Sequence, residues 1–248
     1  MSAFKVLATG SEQGNATLLF NETVLVDAGV TFNVIKPYVS SISLVLLTHE
    51  HTDHLNLQLL VKLRKERPSV AIMCTPYMAR HLDFLVERYN KTHKTQLDIF
   101  EPIIVEPDTV HERNGVIVSP FNVYHDVPNV GWKIWAYSRT TNPFKLQDSS
   151  FKVLYVTDTS VLPENLNTVG YHLYLIEANY DENTVKEHIE KEIADLGYSH
   201  RMRALHTHHS LQQAEAYIKR TSFKGRFIPL HMSSVFEKEI KEKYWYNT

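Results

Sequence analysis

Apolar residues in this chain fall mostly into short runs separated by polar and glycine punctuation, and only a few stretches show the 3.6-residue period of a helix. The opening predicts strands over 4–8, 16–20 and 24–27, joined by a turn over 9–14 and a polar turn over 21–23, and closed by Ala28 and Gly29. A short helix is expected over 32–39. The continuous apolar run 43–47 is short and rich in β-branched residues, as a buried strand requires. Leu55, Leu59, Leu60 and Leu63 repeat with a helical period that stops before Pro68, and 70–74 follows as a strand. Pro76 stands at a natural first helical position, ahead of Leu82, Leu85, Val86 and Tyr89 on one face. The segment 89–107 has no clear period and reads as a lid or an interface loop.

Beyond it the pattern turns to strands over 103–105, 116–121, 133–137 and 152–156, then a buried strand over 173–177. Helices are predicted over 183–196 and over 210–220, the latter with Ser210 as its N-cap, and a strand over 227–230. The order is strands, helices, strands, helices. Two sheets packed face to face with helices outside satisfy it, which predicts an α/β fold of the αββα four-layer sandwich type. No linker or internal repeat breaks the chain, so residues 1–248 are expected to form a single domain.

Composition narrows the function. At 248 residues and 43% hydrophobic content the chain is long enough for one well-cored domain. A formal net charge of −2 supplies no global positive field for nucleic acid or an anionic membrane surface. Residues 1–10 hold no basic leader, and no stretch reaches the roughly 18 apolar residues of a membrane span. A soluble, unexported protein is expected. The single cysteine, Cys74, makes no internal disulfide, which fits a reducing cytoplasm and excludes a cysteine-rich zinc scaffold.

Fourteen histidines are many for this length, and several are grouped. In Thr48-His49-Glu50-His51-Thr52-Asp53-His54, four metal-ligand candidates fall within six positions directly after a buried strand. An extended chain points alternate side chains the same way, so His49 and His51 reach one ion, while Asp53 and His54 at the turn point to a second.

The pattern His-x-His-x-Asp-His after a strand resembles the signature of the metallo-β-lactamase superfamily, and the resemblance extends over nearly the whole chain. It implies an upstream element at Val24 to Gly29, with Asp27 supporting the ligands rather than binding metal. It implies that His125 completes the first site with His49 and His51, that Asp158 bridges the two ions, and that His231 closes the second site with Asp53 and His54. Singly, His125 reads as a turn histidine, Asp158 as an N-cap and His231 as a core histidine. Their occurrence in order after apolar runs carries the joint reading. His111, His172, His188 and His200 have no such placement and read as surface or structural, and His81 and His93 stay unassigned.

Two divalent cations in such a cage generate a nucleophile near neutral pH, with Asp53 placed to orient or accept a proton. Histidine-rich ligation favours zinc, while the mixed set also accepts manganese, iron, cobalt or nickel. Leu175-Ile176-Glu177-Ala178-Asn179 resembles the Glu-Ala element of the RNase Z and YycJ-type phosphodiesterase branch. His206-Thr207-His208-His209-Ser210 is similar to its histidine element. That implies His208 as the residue that meets a phosphate oxygen or protonates the leaving oxygen, with Glu177 as its partner. His206 and His209 compete for the same register.

Within that branch no glycine-rich basic insertion resembles a transfer-RNA arm, and near-neutral charge disfavours a long polyanion. In the stretch 129–144, Trp132, Trp135, Tyr137, Arg139 and Phe144 suit stacking on a base, and the alternation of Trp132, Ile134 and Ala136 suits a core strand equally. In size and motif set the chain resembles the compact phage anti-Pycsar phosphodiesterases. That implies hydrolysis of cyclic CMP and cyclic UMP to linear monophosphates, in a host cytoplasm, by a homodimer. The alternatives are a nuclease acting on single-stranded DNA or RNA, and a lactam or thioester hydrolase. A non-enzymatic binding module is disfavoured because every expected ligand is present.

Overall fold

The computed structural model describes residues 3–97, 101–137, 150–164, 166, 170–199, 201–220 and 225–245. It is a mixed α/β fold with two sheets and flanking helices, and it divides into two compact units, 1–114 and 115–248.

The first unit orders its sheet β1-β2-β3-β4-β5-β6. The strands are Phe4–Ala8 (β1), Ala16–Leu19 (β2), Val24–Val26 (β3), Leu44–Leu46 (β4), Ala71–Cys74 (β5) and Ile103–Ile104 (β6). The first three strands pair antiparallel and β3 to β6 run parallel. Every residue of β3, β4 and β5 is buried, on both faces of the sheet, which is why these segments are apolar throughout rather than alternating. The expected helix over 32–39 is shorter: α1 covers Phe32–Ile35 and a 3-10 turn takes Lys36–Tyr38, because Pro37 cannot donate the next helical hydrogen bond. Helix α2, Leu57–Glu66, is capped by Asn56, whose side chain accepts from the Leu59 N–H. It buries Leu59, Leu60 and Leu63 on the core that also holds Leu25, Val45 and Leu82. Helix α3, Pro76–His93, starts with Thr75 as N-cap and ends where Lys94 turns left-handed. The start of the segment expected to be a lid or loop is therefore the last turn of α3. A short polar strand, His111–Arg113 (β7), which the sequence pattern did not reveal, follows at the end of this stretch of chain and is the edge strand of the second six-stranded sheet.

The second unit repeats the plan. Strands β8 (Val116–Val123), β9 (Asn129–Tyr137) and β10 (Ser150–Val156) pair antiparallel, and β10, β11 (Leu173–Glu177) and β12 (Arg226–Leu230) pair parallel. Helices α4 (Val185–Leu196), α5 (Arg201–Thr207), α6 (Leu211–Arg220) and α7 (Ser234–Tyr244) connect and follow them. Ser210 caps α6 reciprocally: the Gln213 N–H donates to its hydroxyl at 3.0 Å, and its own N–H donates to Gln213 Oε1 at 2.8 Å. Trp132 is fully buried on β9, opposite Pro120 and Tyr155, so at that position the core-strand reading holds and the base-stacking one does not. Arg139 and Phe144 lie outside the described residues, as does His200.

In both units the parallel strands end in register. Their carboxyl ends deliver Asp27 after β3, the 48–54 segment after β4, Asp158 after β10, Glu177 at the end of β11 and His231 after β12. Open α/β sheets bind ligands at this edge.

Candidate functional site

In the first unit, Asp27 organises the histidine loop. It is fully buried, with a left-handed backbone (φ 60°) that turns its carboxylate back across the end of β4. Its Oδ1 accepts from the Thr48 N–H at 3.0 Å and from the Thr48 hydroxyl at 2.9 Å, and its Oδ2 lies 2.8 Å from His54 Nδ1. The Thr48 oxygen in turn lies 3.0 Å from His49 Nδ1. A carboxylate in that position holds the proton on Nδ1 of His54 directly, and on Nδ1 of His49 through Thr48. That tautomer puts the lone pair of each ring on Nε2, the atom a metal would take; on His54 this lone pair lies 2.8 Å from the Asn15 side-chain amide, which donates to it.

The three imidazoles crowd together: the His49 ring centroid is 4.8 Å from that of His51 and 4.2 Å from that of His54. Asp53 Oδ2 lies 3.5 Å from His54 Nε2, and Asp53 keeps 18% of its side chain exposed. Close backbone packing fixes the loop. The Asp53 carbonyl accepts from the Asn15 N–H at 2.6 Å and from Asn15 Nδ2 at 3.1 Å, and the Ala28 N–H donates to the His54 carbonyl at 2.9 Å. A Cβ on Gly29 would stand 1.7 Å from the Asp53 carbonyl oxygen, so only glycine allows this approach. Glu50, between the histidines, is held by the Tyr77 hydroxyl at 2.9 Å and by His81 Nδ1 at 2.8 Å, which gives His81 a partner the sequence did not suggest.

In the second unit Glu177 is the hub. It is fully buried and uses all of its acceptor capacity. Its Oε1 lies 2.6 Å from His208 Nδ1 and 3.0 Å from His231 Nδ1, and its Oε2 accepts from the N–H groups of Thr159 and His209 at 2.8 and 3.2 Å. Burial works to raise its pKa, but the His208 charge and these hydrogen bonds outweigh it and hold the carboxyl below the usual range. For His208, burial disfavours the cation, and the Glu177 carboxylate beside it outweighs that, so its pKa is raised. The two shifts agree: Glu177 and His208 form an ion pair. Of the three histidines that competed for the register, His208 takes this partner. His209 turns its Nδ1 to the Ser160 carbonyl at 3.3 Å, and His206 sits on α5.

Asp158, nearly buried and left-handed at φ 55°, lies beside three imidazoles, with Oδ1 3.3 Å from His231 Nε2 and 3.8 Å from both His208 Nδ1 and His125 Nε2. His231 is left-handed too, at φ 50°. Burial lowers the pKa of His125 despite the carboxylates near it, which favours the neutral form a metal needs. Ligand atoms of Asp158, Glu177, His208 and His231 fall within 4.8 Å of one another. With Glu177 and His208 engaged with each other, Asp158 and His231 are the donors of that group whose mixed oxygen and nitrogen chemistry fits a divalent cation such as zinc or manganese. Asparagines missed by the sequence reading hold these residues by their main chain. Asn129 Nδ2 donates to the Asp158 carbonyl at 2.8 Å and Asn179 Nδ2 to the His231 carbonyl at 2.9 Å, as Asn15 does to Asp53. A lone asparagine at or beside a strand end carries no period or spacing by which to find it.

A mixed α/β fold that gathers histidines and carboxylates at its strand ends defines the class of metal-dependent hydrolases. The model of the Beta-lactamase superfamily domain matches residues 22–232, and the chain belongs to that family. Among solved structures it is similar to the short form of human tRNase Z, at 17% identity and a TM-score of 0.66 over 94% of this chain and 93% of that one. It is also similar to zinc-bound PqqB from Methylobacterium extorquens, at 13% identity and a TM-score of 0.65 over 97% and 95% of the two chains. A diphosphatase of the PhnP family matches at 15% identity and a TM-score of 0.61 over 93% and 85%. No curated protein matches the chain in sequence. Among the described residues no helix is long and apolar enough to cross a membrane.

Proposed function

We propose that the chain is a two-metal phosphodiesterase that opens cyclic mononucleotides, cyclic CMP and cyclic UMP foremost, to linear monophosphates, and so removes a host's cyclic-nucleotide immune signal. The observation that carries the phosphodiester reading is the Glu177–His208 pair, 2.6 Å apart, with the carboxylate buried and 17% of the imidazole side chain exposed. A charged imidazole at the surface end of a buried ion pair suits an anionic phosphate oxygen. Lactams and thioesters carry no charge at the reacting centre before attack, whereas a phosphodiester does. The proposed metal ligands are His49, His51, Asp53, His54, His125, Asp158 and His231.

Divalent ions, zinc or manganese by ligand type, supply a nucleophile at neutral pH and neutralise phosphate charge when bound. The chain's residues do the rest. Asp53 orients the attacking water and accepts its proton. Asp27 holds the imidazole tautomers. As the phosphorus–oxygen ester bond breaks, His208 passes the proton on its exposed side to the departing ribose oxygen, and Glu177 keeps the ring oriented. The net charge of −2 supports a small substrate over a long polyanion, because each phosphate contact on a polymer needs its own cation. A homodimer and a cytoplasmic setting belong to the same reading by resemblance.

The test is to incubate the manganese- or zinc-loaded protein with cyclic CMP, cyclic UMP, cyclic AMP, cyclic GMP and a labelled single-stranded oligonucleotide, and to resolve the products chromatographically. Conversion of the cyclic nucleotides with the oligonucleotide intact is expected. Shortening of the oligonucleotide with intact cyclic nucleotides makes the protein a nuclease instead.

A further inference from the structure

Helix α2 has a second face that the metal chemistry does not use. Val61, Arg64 and Lys65, spaced i, i+3 and i+4, line a cavity of about 380 Å³ together with Tyr89 of α3 and Thr95, Gln96 and Leu97 beyond it. The histidine loop 48–54 precedes the amino end of α2. The cavity flanks its carboxyl half, about 10–15 Å away at 1.5 Å per residue.

The walls are built rather than loose. Lys94 stops α3 in a left-handed conformation, and Asn90 then draws the following loop back onto the helix. Its Oδ1 accepts from the Leu97 N–H at 2.8 Å and from the Thr95 hydroxyl at 2.9 Å, and its Nδ2 donates to the Leu97 carbonyl at 3.1 Å. The Tyr89 ring stacks on His93 with centroids 4.1 Å apart, which fixes its plane. Arg64 donates one N–H to the Val70 carbonyl, anchoring the guanidinium. Among the described residues neither Arg64 nor Lys65 has a carboxylate partner. Two cations without counter-charges, a fixed phenol ring, apolar Val61 and Leu97, and the hydroxyl and amide of Thr95 and Gln96 thus share one concavity. Its size is within the usual range for small-molecule sites.

We propose that this cavity binds a nucleoside monophosphate or a molecule of the same chemistry, one anionic group on a planar ring-bearing body. The anion meets Arg64 and Lys65, and the ring lies against Tyr89 and Leu97. The site is independent of the reaction proposed above.

The test is calorimetric titration of AMP into the metal-loaded full-length protein and into its Arg64→Glu and Tyr89→Ala variants, with inorganic phosphate and adenosine as separate titrants. Thermal melts verify that each variant is folded. The expected result is that Arg64→Glu weakens AMP binding about tenfold or more and Tyr89→Ala about fivefold, that phosphate and adenosine each bind more weakly than AMP, and that turnover is unchanged in Arg64→Glu. AMP affinity equal in wild type and both folded variants overturns the site, because binding at the metal ions alone is insensitive to Arg64. Phosphate binding as tightly as AMP overturns the ligand class.

Discussion

Glu177 shows how much one buried side chain can organise. It receives four hydrogen bonds from Thr159, His208, His209 and His231, two on each oxygen, so a glutamine in its place keeps one accepting oxygen and turns an NH2 toward the other two donors. Glu177→Gln keeps the shape and deletes the charge, so phosphodiester turnover should fall by roughly 10² to 10³, the usual worth of a positioned proton donor. The pH profile gives a sharper test. In the folded protein the pKa of His208 is raised, so the charged form and the stability of its pair are fully present below the ordinary histidine value, and both are lost as pH rises through the raised value. The alkaline limb of kcat/KM should therefore lie above about pH 6.5 in the wild type and move to lower pH in Glu177→Gln. An unshifted limb would mean that His208 is not the proton donor.

The elements that hold these residues were unequally legible. Strands 4–8 and 173–177 stand where their apolar runs predict, and the Thr48–His54 loop and Ser210 cap announce themselves by residue type. Helix α5, Arg201–Thr207, buries no residue and so has no apolar stripe to read, and β7 is a three-residue polar strand. Helix α7 does bury Phe236 and Ile240 at i and i+4, a short signal at the chain's end. The capping box of α6 gives a direct test: Ser210→Ala should cost about 1 kcal/mol, measured by urea unfolding, with more lost if the hydroxyl's contact with Glu182 also matters. The approach of the β3 end to the histidine loop gives a second. In Gly29→Ala the new methyl meets the Asp53 carbonyl, and the loop must move, so zinc uptake measured by metal analysis of the purified protein should drop markedly while far-UV circular dichroism is retained.

At the scale of the whole molecule, the architecture was legible because two runs of parallel, doubly covered strands leave a near-continuous apolar signature. What was not legible is the long-range pairing that turns separate motifs into clusters: Asn129 reaching Asp158, or Asp27 reaching Thr48 and His54, depends on chain reversals that no local period encodes. Burial has a global consequence as well. The Cys74 thiol is pushed up to about 12 by burial, with Asp83 adding to it, and burial also raises Tyr171 and Tyr217. Groups whose folded pKa is raised stabilise the protein below their unfolded values and withdraw that stability as pH climbs. For Cys74 that loss falls between about pH 9 and the raised value near 12. Urea midpoints should therefore decline steeply above pH 9, and Cys74 should resist thiol reagents at pH 8 until urea unfolds the chain.

The left-handed backbones of Asp27, Asp158 and His231, each just past a strand end, make those corners act as loaded springs. Each conformer costs on the order of 1 kcal/mol that only the surrounding native packing can outweigh. Weakening that packing should let the corners relax while the sheets still stand. In a urea titration of the metal-loaded enzyme, activity should fade at a lower concentration than the circular dichroism signal, and coincident loss of the two would show that the corners hold as firmly as the core.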